Sequence, residues 1–389
     1  MRDEYSQRIN ILFTFRSGSL GHFLPLLPLA RQAKEAGHEV AFASGADQSE
    51  RVVQAGFRFF NAGLTYSQPG QEMRQRFRDW PWGNDFEHVY SLIFAGICGP
   101  AMAKDLPAVF TSFHPDLVVA EVAEFGGPVV AAAASIPWAA VGWGLPVPAD
   151  IAEAAGQAVA RMWEERRLNP LPYGGLYQYC YLDPCPPSLA PRDGPAIART
   201  QPLRPDQLAD PNGAPDWLLK MSDRPTVYVT LGTSASFAVA HGNRMVMAVA
   251  EGLGGEDLNV IVTGPAANQA SPMPANIAVA SFIPLADLLP RCQLVVSHGG
   301  AGTILAALAM GLPQVLLPMG ADQFRNAAAV VGAGAGRQLV ASELDAVTLR
   351  TSVMELLDDT AAARAADTVK NEIAAMPDAR SAVSVLEQL

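Results

Sequence analysis

The sequence predicts an α/β protein made of two doubly wound, parallel-sheet domains that face each other across a cleft. Three observations carry this prediction. Short apolar runs alternate with helical patterns in two series, one near the start and one after residue 226, as βαβ units do. In each series a strand runs directly into a glycine turn that opens a helix. Between them, residues 184–225 are crowded with proline and nearly lack periodicity, which reads as the tail of the first domain plus an interdomain linker.

In the first series, residues 8–15 (RINILFTF) form an apolar run suited to a buried parallel strand. The turn Gly18-Ser19-Leu20-Gly21 follows. Leu26, Leu29, Ala30 and Ala33 then fall at i, i+3, i+4 and i+7, which gives a helix one apolar face. Gly37 is placed to end that helix, and residues 39–43 resume a strand. Further on, residues 117–120 read as a strand ending in Glu121, with Glu124 just beyond.

In the second series, residues 226–231 (TVYVTL) are a strand, followed by Gly232-Thr233-Ser234 and a helix to about Glu251. Residues 259–263 and 294–296 are further strands, the latter running into SHGGAGT (297–303). A helix to Met310, a stop at Gly311, a strand over 314–317 and a helix from near Asp322 complete the pattern. Ser342 and Asp345 resemble a capping box for a later helix. The domains expected are 1–205, a linker over 206–225, and 226–375. A final helix over 376–389 is expected to pack back on the first domain.

Length and composition agree with this reading. At about 150 residues per domain, 389 residues make two or three domains, and 50% apolar content supplies their cores. The net charge of −11 argues against nucleic acid or an anionic membrane surface as partner. Cys98, Cys180, Cys185 and Cys292 form no CxxC pair, so no metal site is expected and a reduced, cytoplasmic protein is the plain reading. The opening residues MRDEYSQR lack an apolar signal core. The uncharged stretches 126–149 and 293–321 are broken by prolines and glycines, so they read as strands and turns rather than membrane spans.

Chemistry concentrates at the strand ends, where open α/β sheets bind ligands. In SHGGAGT the glycines let an anion approach a helix start, where unpaired amides and the helix dipole await it. His298 adds a donor and Thr303 a hydroxyl. Many helices start on glycine with nothing bound; the histidine is what narrows the reading. The turn GSLGH (18–22) lacks the third glycine of a dinucleotide fingerprint, and no acidic residue closes the next strand. His22, at the end of the first strand, is a candidate base or a plain structural histidine. Glu121 is a candidate orienting partner, or a solvated strand-end charge. Asp322 and Gln323 suit vicinal hydroxyls, or an ordinary helix cap. Residues 74–90 mix arginines with Phe77, Trp80, Trp82, Phe86 and Tyr90, which suits either a flap lining an apolar site or an amphipathic surface helix.

Four stretches together resemble the family 1 glycosyltransferases, and among them the bacterial macrolide and polyketide antibiotic type: GHFLPLLPLARQAKEAGHEV (21–40), PDLVVAEVAEFGGPVVAAAASIPW (115–138), VYVTLGTSAS (227–236) and FIPLADLLPRCQLVVSHGGAGTILAALAMGLPQVLLPMGADQFRNA (282–327). The resemblance implies the GT-B fold of two Rossmann-like domains. It also implies a donor site in the second half, an acceptor site in the first, and inversion at the anomeric carbon. It makes His22 the general base and Glu121 its orienting carboxylate, where the family usually has aspartate. Thr233, Ser234, His298, Gly300, Gly302 and Thr303 become diphosphate contacts, Phe282 and Ile283 nucleobase contacts, and Asp322 and Gln323 sugar contacts. Ala306 stands where members using UDP-sugars often carry a ribose-binding glutamate, which favours a dTDP-deoxysugar. The co-substrates implied are that nucleotide sugar and a hydrophobic aglycone, with no further cofactor or metal.

Trp80, Trp82, Phe86, Trp138 and Trp143 are candidates to line the aglycone site; Trp163 lies in the same half, and any of the tryptophans would equally suit a core. A homodimer is left open. Rival readings are a catalytically silent glycosyltransferase-like auxiliary protein, a sugar-nucleotide epimerase of the same fold, and a nicotinamide dehydrogenase.

Overall fold

The computed structural model describes residues 8–76, 85–207, 209, 213–230, 232, 235–264 and 273–389; for 74–76, 235–243 and 341 it describes the backbone alone. The chain divides into two compact units. One comprises Met1–Cys185, Pro191–Arg204 and Pro377–Leu389, the other Pro186–Ala190 and Pro205–Met376.

The first unit holds a seven-stranded sheet. Its strands are β1 (Asn10–Thr14), β2 (Glu39–Ser44), β3 (Arg58–Asn61), β4 (Leu117–Glu121), β5 (Trp138–Val141), β6 (Cys180–Asp183) and β7 (Thr200–Pro202). They run parallel in the order β3-β2-β1-β4-β5-β6-β7. The predicted apolar face of the helix after β1 is confirmed: Leu26, Leu29, Ala30 and Ala33 are all fully buried. Each such leucine contributes roughly 1.5–3 kcal/mol. Gly37 ends that helix at φ +102°, a backbone value that favours glycine.

The second unit holds β8 (Thr226–Thr230), β9 (Asn259–Thr263), β10 (Ile277–Ala280), β11 (Leu294–Ser297), β12 (Gln314–Leu316) and β13 (Gly336–Gln338). These also run parallel, in the order β10-β9-β8-β11-β12-β13. Alternate residues face two apolar layers. Val227, Val229, Val260, Val262, Leu294 and Val296 join one layer; Tyr228, Ile261 and Val295 join the other. Burial on both faces is why these strands read as unbroken apolar runs.

Each sheet reverses its strand order once, between β1 and β4 in the first unit and between β8 and β11 in the second. Such a switch point opens a crevice beyond the strand ends. His22 and Glu121 lie at the first crevice, Gly232 and His298 at the second.

Within the proline-rich stretch, β7 pairs with β6 in the first unit. Some expectations change: residues 186–190 belong to the second unit. Asp345 alone caps the helix Ala346–Leu357, accepting from the amide of Thr348; Ser342 sits in a separate 3-10 turn. The helical stretch Phe86–Phe113 is long and apolar enough to cross a membrane, unlike the two stretches raised from the sequence. It is half buried within the protein, with Tyr90, Phe94, Ala95, Met102 and Leu106 in the core. The closing helix Ala379–Leu386 packs on the helix Leu27–Glu35, and His38 Nε2 lies 2.9 Å from Glu387 Oε1.

Candidate active site

The site in the first unit is built at the switch point. Thr14 of β1 pairs with Ala120 of β4, so the residues following β1 and ending β4 emerge side by side. Gly18 then allows the chain to fold close. A Cβ on Gly18 would lie 2.5 Å from His22 Cδ2 and 2.9 Å from an Arg16 guanidinium nitrogen. Imidazole and guanidinium occupy the space that any side chain there would need.

His22 Nδ1 lies 2.8 Å from Glu121 Oε1. Glu121 is 1% exposed and its Oε2 is buried without a partner among the described residues. The extra methylene relative to aspartate therefore does not prevent contact. A carboxylate accepts only, so Nδ1 carries the proton and Nε2 presents its lone pair. Trp143 and Phe94 stand edge-on to the imidazole, with centroids 5.3 and 5.8 Å away. Tyr90 links both of these rings to Phe86. Trp143 and Phe94 thus stand against His22 itself, and Phe86 joins the same aromatic cluster through the buried Tyr90.

Trp138 does not share that cluster. It is 2% exposed, packs against Trp163 and Tyr179, and donates its indole N–H to Gly175 O; it is a core tryptophan with its polar atom satisfied. Trp80 and Trp82 lie outside the described residues.

Three further groups join the site: Arg16 and Phe94 went unnoticed in the sequence, and Glu124 was noted there without a role. Arg16 places a guanidinium nitrogen 2.8 Å from His22 Nε2. Phe94 carries that guanidinium on its ring face, 4.1 Å from the centroid. Glu124 accepts from Thr14 Oγ1, Gly126 N and Gly127 N, yet burial pushes its carboxyl up to about 7. An arginine at the carboxyl end of the first strand was the available signal for the first of these; the others depend on contacts distant in sequence.

In the second unit, β11 ends at Ser297 and the helix Ala301–Ala309 begins at Gly300, which offers no side-chain cap. Gly302 has open space around it and is exposed, and Thr303 is half-buried. The first-turn amides therefore remain available to an anion. His298 is buried under this turn. Cβ atoms on Gly232 or Gly300 would collide with its ring, so both glycines make room for the imidazole. Burial pushes His298 down to about 4. It is neutral at pH 7, so it can offer an anion a hydrogen bond but no charge.

Asn326, 1% exposed, donates to Gly299 O at 3.0 Å and to Asp322 Oδ2 at 2.9 Å. It fastens the cradle turn to the candidate sugar-binding aspartate, a role the sequence did not reveal. Gln323 is also buried. Its Oε1 accepts from the amides of Met319 and Gly320, so that oxygen braces the loop before Asp322 and is not presented to a sugar. Phe282 is half exposed, whereas Ile283 is buried in the same apolar layer as Ala306. Ala306, 1% exposed, is thus part of that apolar layer. A glutamate there would bury a charge. Thr233 and Ser234 lie outside the described residues.

Comparison with known proteins gives a consistent result. The family described as "Erythromycin biosynthesis protein CIII-like" matches through its N-terminal domain over residues 87–232 and its C-terminal domain over residues 247–389. The L-demethylnoviosyl transferase of Streptomyces niveus is 31% identical over 85% of each chain. Tylactone mycaminosyltransferase of Streptomyces fradiae is 29% identical over 95% of this chain and 90% of its own. Among solved structures, the Streptomyces sp. SF2575 glycosyltransferase SsfS6 complexed with thymidine diphosphate superposes with a TM-score of 0.80. It is 25% identical and covers 98% of this chain and all of its own.

Proposed function

Because this chain belongs to the erythromycin biosynthesis protein CIII-like family and is a natural-product glycosyltransferase of the GT-B fold, we propose that it moves a deoxysugar from a dTDP donor to a hydrophobic aglycone with inversion. The observation that carries the proposal is the 2.8 Å contact between His22 Nδ1 and Glu121 Oε1, in a site walled by Trp143 and Phe94. That contact leaves Nε2 as the proton acceptor.

In the proposed reaction, Nε2 takes the proton of the acceptor hydroxyl while its oxygen attacks the anomeric carbon. The bond from that carbon to the β-phosphate oxygen breaks, and its electron pair leaves with the diphosphate. The carbon passes through an oxocarbenium-like state. Glu121 stabilises the imidazolium that forms. The growing phosphate charge meets the open amides of Gly302 and Thr303 and the neutral N–H of His298, a preorganised field; Thr233 and Ser234 are proposed to complete it. Phe282 would stack on the base and Asp322 would hold sugar hydroxyls. The donor choice is supported by the thymidine diphosphate bound to the similar SsfS6. The aglycone class is supported by the aromatic wall and by the name of the tylactone relative.

The test is transfer from an axially linked dTDP-deoxysugar to a panel of apolar alcohols and phenols. The expected result is an equatorial product with the wild type and a loss of about 10²–10⁴ in rate for His22→Ala. A product of retained configuration would refute inversion. Wild-type turnover of a hydroxyl acceptor by the variant would refute the base assignment.

A further inference from the structure

Two charged side chains fix the same tautomer of His22 from opposite ends of its ring. Glu121 Oε1 accepts at Nδ1, 2.8 Å away, and a guanidinium nitrogen of Arg16 stands 2.8 Å from Nε2. A guanidinium has five N–H donors and no acceptor, so it donates and the Nε2 lone pair receives. Arg16 is held in place by its neighbours. Its guanidinium lies over the Phe94 ring, 4.1 Å from the centroid, and the residue is 8% exposed. The turn after β1 is shaped around the contact itself. A Cβ on Gly18 would lie 2.9 Å from the guanidinium nitrogen and 3.1 Å from Nε2.

The lone pair that the proposed reaction uses is therefore occupied before any sugar acceptor arrives. While occupied, it takes a proton neither from an alcohol nor from water. The contact is one charge-assisted hydrogen bond, so holding Nε2 in this way lowers the open fraction by about 10–100-fold. The two nucleophiles differ in what they bring against that cost. An apolar aglycone buries surface beside Trp143 and Phe94, and part of its binding free energy offsets the lost hydrogen bond. Water brings no such surface.

We propose that Arg16 is a positioning residue that masks the base: it holds His22 Nε2 until an apolar acceptor displaces it, and so protects the nucleotide sugar from hydrolysis. In the suppressed reaction a water oxygen bonds to the anomeric carbon and the water proton passes to Nε2. The bond from that carbon to the β-phosphate oxygen breaks, and its electron pair leaves with the diphosphate. Suppressing this side reaction keeps the donor for transfer. The proposal rests on the reading of His22 as the base.

The test uses the full chain as wild type, Arg16→Met, Arg16→Gln and His22→Ala, with two readouts. Diethyl pyrocarbonate transfers an ethoxycarbonyl group to an open imidazole nitrogen as ethyl carbonate leaves, and peptide mass spectrometry gives the rate at His22. That rate should rise about tenfold or more in Arg16→Met, and about threefold in Arg16→Gln, whose neutral amide masks less firmly. Hydrolysis of dTDP-2-deoxyglucose without an acceptor, read as dTDP release above the enzyme-free rate, should rise by similar factors; in His22→Ala it should not. Equal acylation of His22 in wild type and Arg16→Met would overturn the proposal, as would no rise in hydrolysis. Wild-type His22 reacting as fast as the exposed His114 would overturn it without any variant. A lost fold would also open the buried His38 and His298 to acylation; in that case Arg16→Gln decides by the same criteria. Transfer by His22→Ala is measured in parallel. If that variant turns over normally, the base assignment fails; if it is inactive while Arg16→Met hydrolyses no faster than wild type, only the role of Arg16 fails.

Discussion

Gly18 and His22 are packed so closely that a single methyl on Gly18 would lie 2.5 Å from the imidazole Cδ2. The glycine turn after β1 therefore makes room for the histidine. Gly18→Ala should push the ring off Glu121 without disturbing the sheet beneath. A displacement of about 1 Å from productive geometry costs on the order of 10² in rate. Steady-state kinetics should show that loss in kcat, with the thermal midpoint little changed. Activity within a factor of about two of wild type would mean the ring has room to shift.

Glu121 offers a second handle on the same dyad. Glu121→Gln keeps the volume but can present an N–H to Nδ1, which favours the wrong tautomer. The expected loss in kcat is about 10²–10⁴, as in other base–orienter pairs. Glu121→Asp shortens the side chain by one methylene from a contact of 2.8 Å and should fall between Gln and wild type. If Gln and wild type gave the same kcat, the orienting role would be excluded.

The dyad was legible only through the family resemblance, since the residues alone left His22 as a base or a structural histidine and Glu121 as its partner or a solvated charge. They lie 99 positions apart, and it is the pairing of β1 with the non-consecutive β4 at the switch point that joins them. The long central strands were legible directly, since burial on both faces leaves an unbroken apolar run. β3 (RFFN) and β13 (GRQ) were not, because edge strands of four and three residues are defined by their neighbours and lack a two-sided core pattern. Arg16 escaped notice because its position depends on Phe94, whose helical stretch has π geometry and shows no simple repeat. Trp138 misled for the opposite reason: tryptophan composition alone does not distinguish a site wall from a core residue whose N–H meets Gly175 O.

His298 sets a pH dependence whose sign follows from its burial. Its value falls from 6.5 to about 4 in the folded chain. Between those values the unfolded chain binds a proton that the folded chain does not, so stability rises with pH across the window and is lost as pH falls through it. The contribution is at most roughly 3 kcal/mol. Urea midpoints of wild type and His298→Asn, measured from pH 4 to pH 7, should converge toward the acid end. Parallel curves would show that the imidazole is not titrating against burial. Glu124, raised to about 7, acts in the reverse sense, so the comparison needs the variant and not the wild-type slope alone.

Asn326 ties two parts of the proposed donor site together, and its removal should separate binding from chemistry. Its amide nitrogen donates to Gly299 O in the cradle turn and to Asp322 Oδ2. Gly299 holds φ +85°, so the turn relies on such contacts to stay in one shape. Asn326→Ala leaves a buried carbonyl unsatisfied, a cost of about 1–3 kcal/mol, and removes the hydrogen bond to Asp322. Affinity for thymidine diphosphate, measured by calorimetry, should drop about tenfold or more. The donor KM should rise more than kcat falls, because the attacking side of the reaction is untouched. Asn326→Asp should be worse than Ala despite being closer in shape, since a second carboxylate cannot donate to Gly299 O and repels Asp322. Equal effects of the two substitutions would show that side-chain volume, and not the donated hydrogen bonds, is what matters at this position.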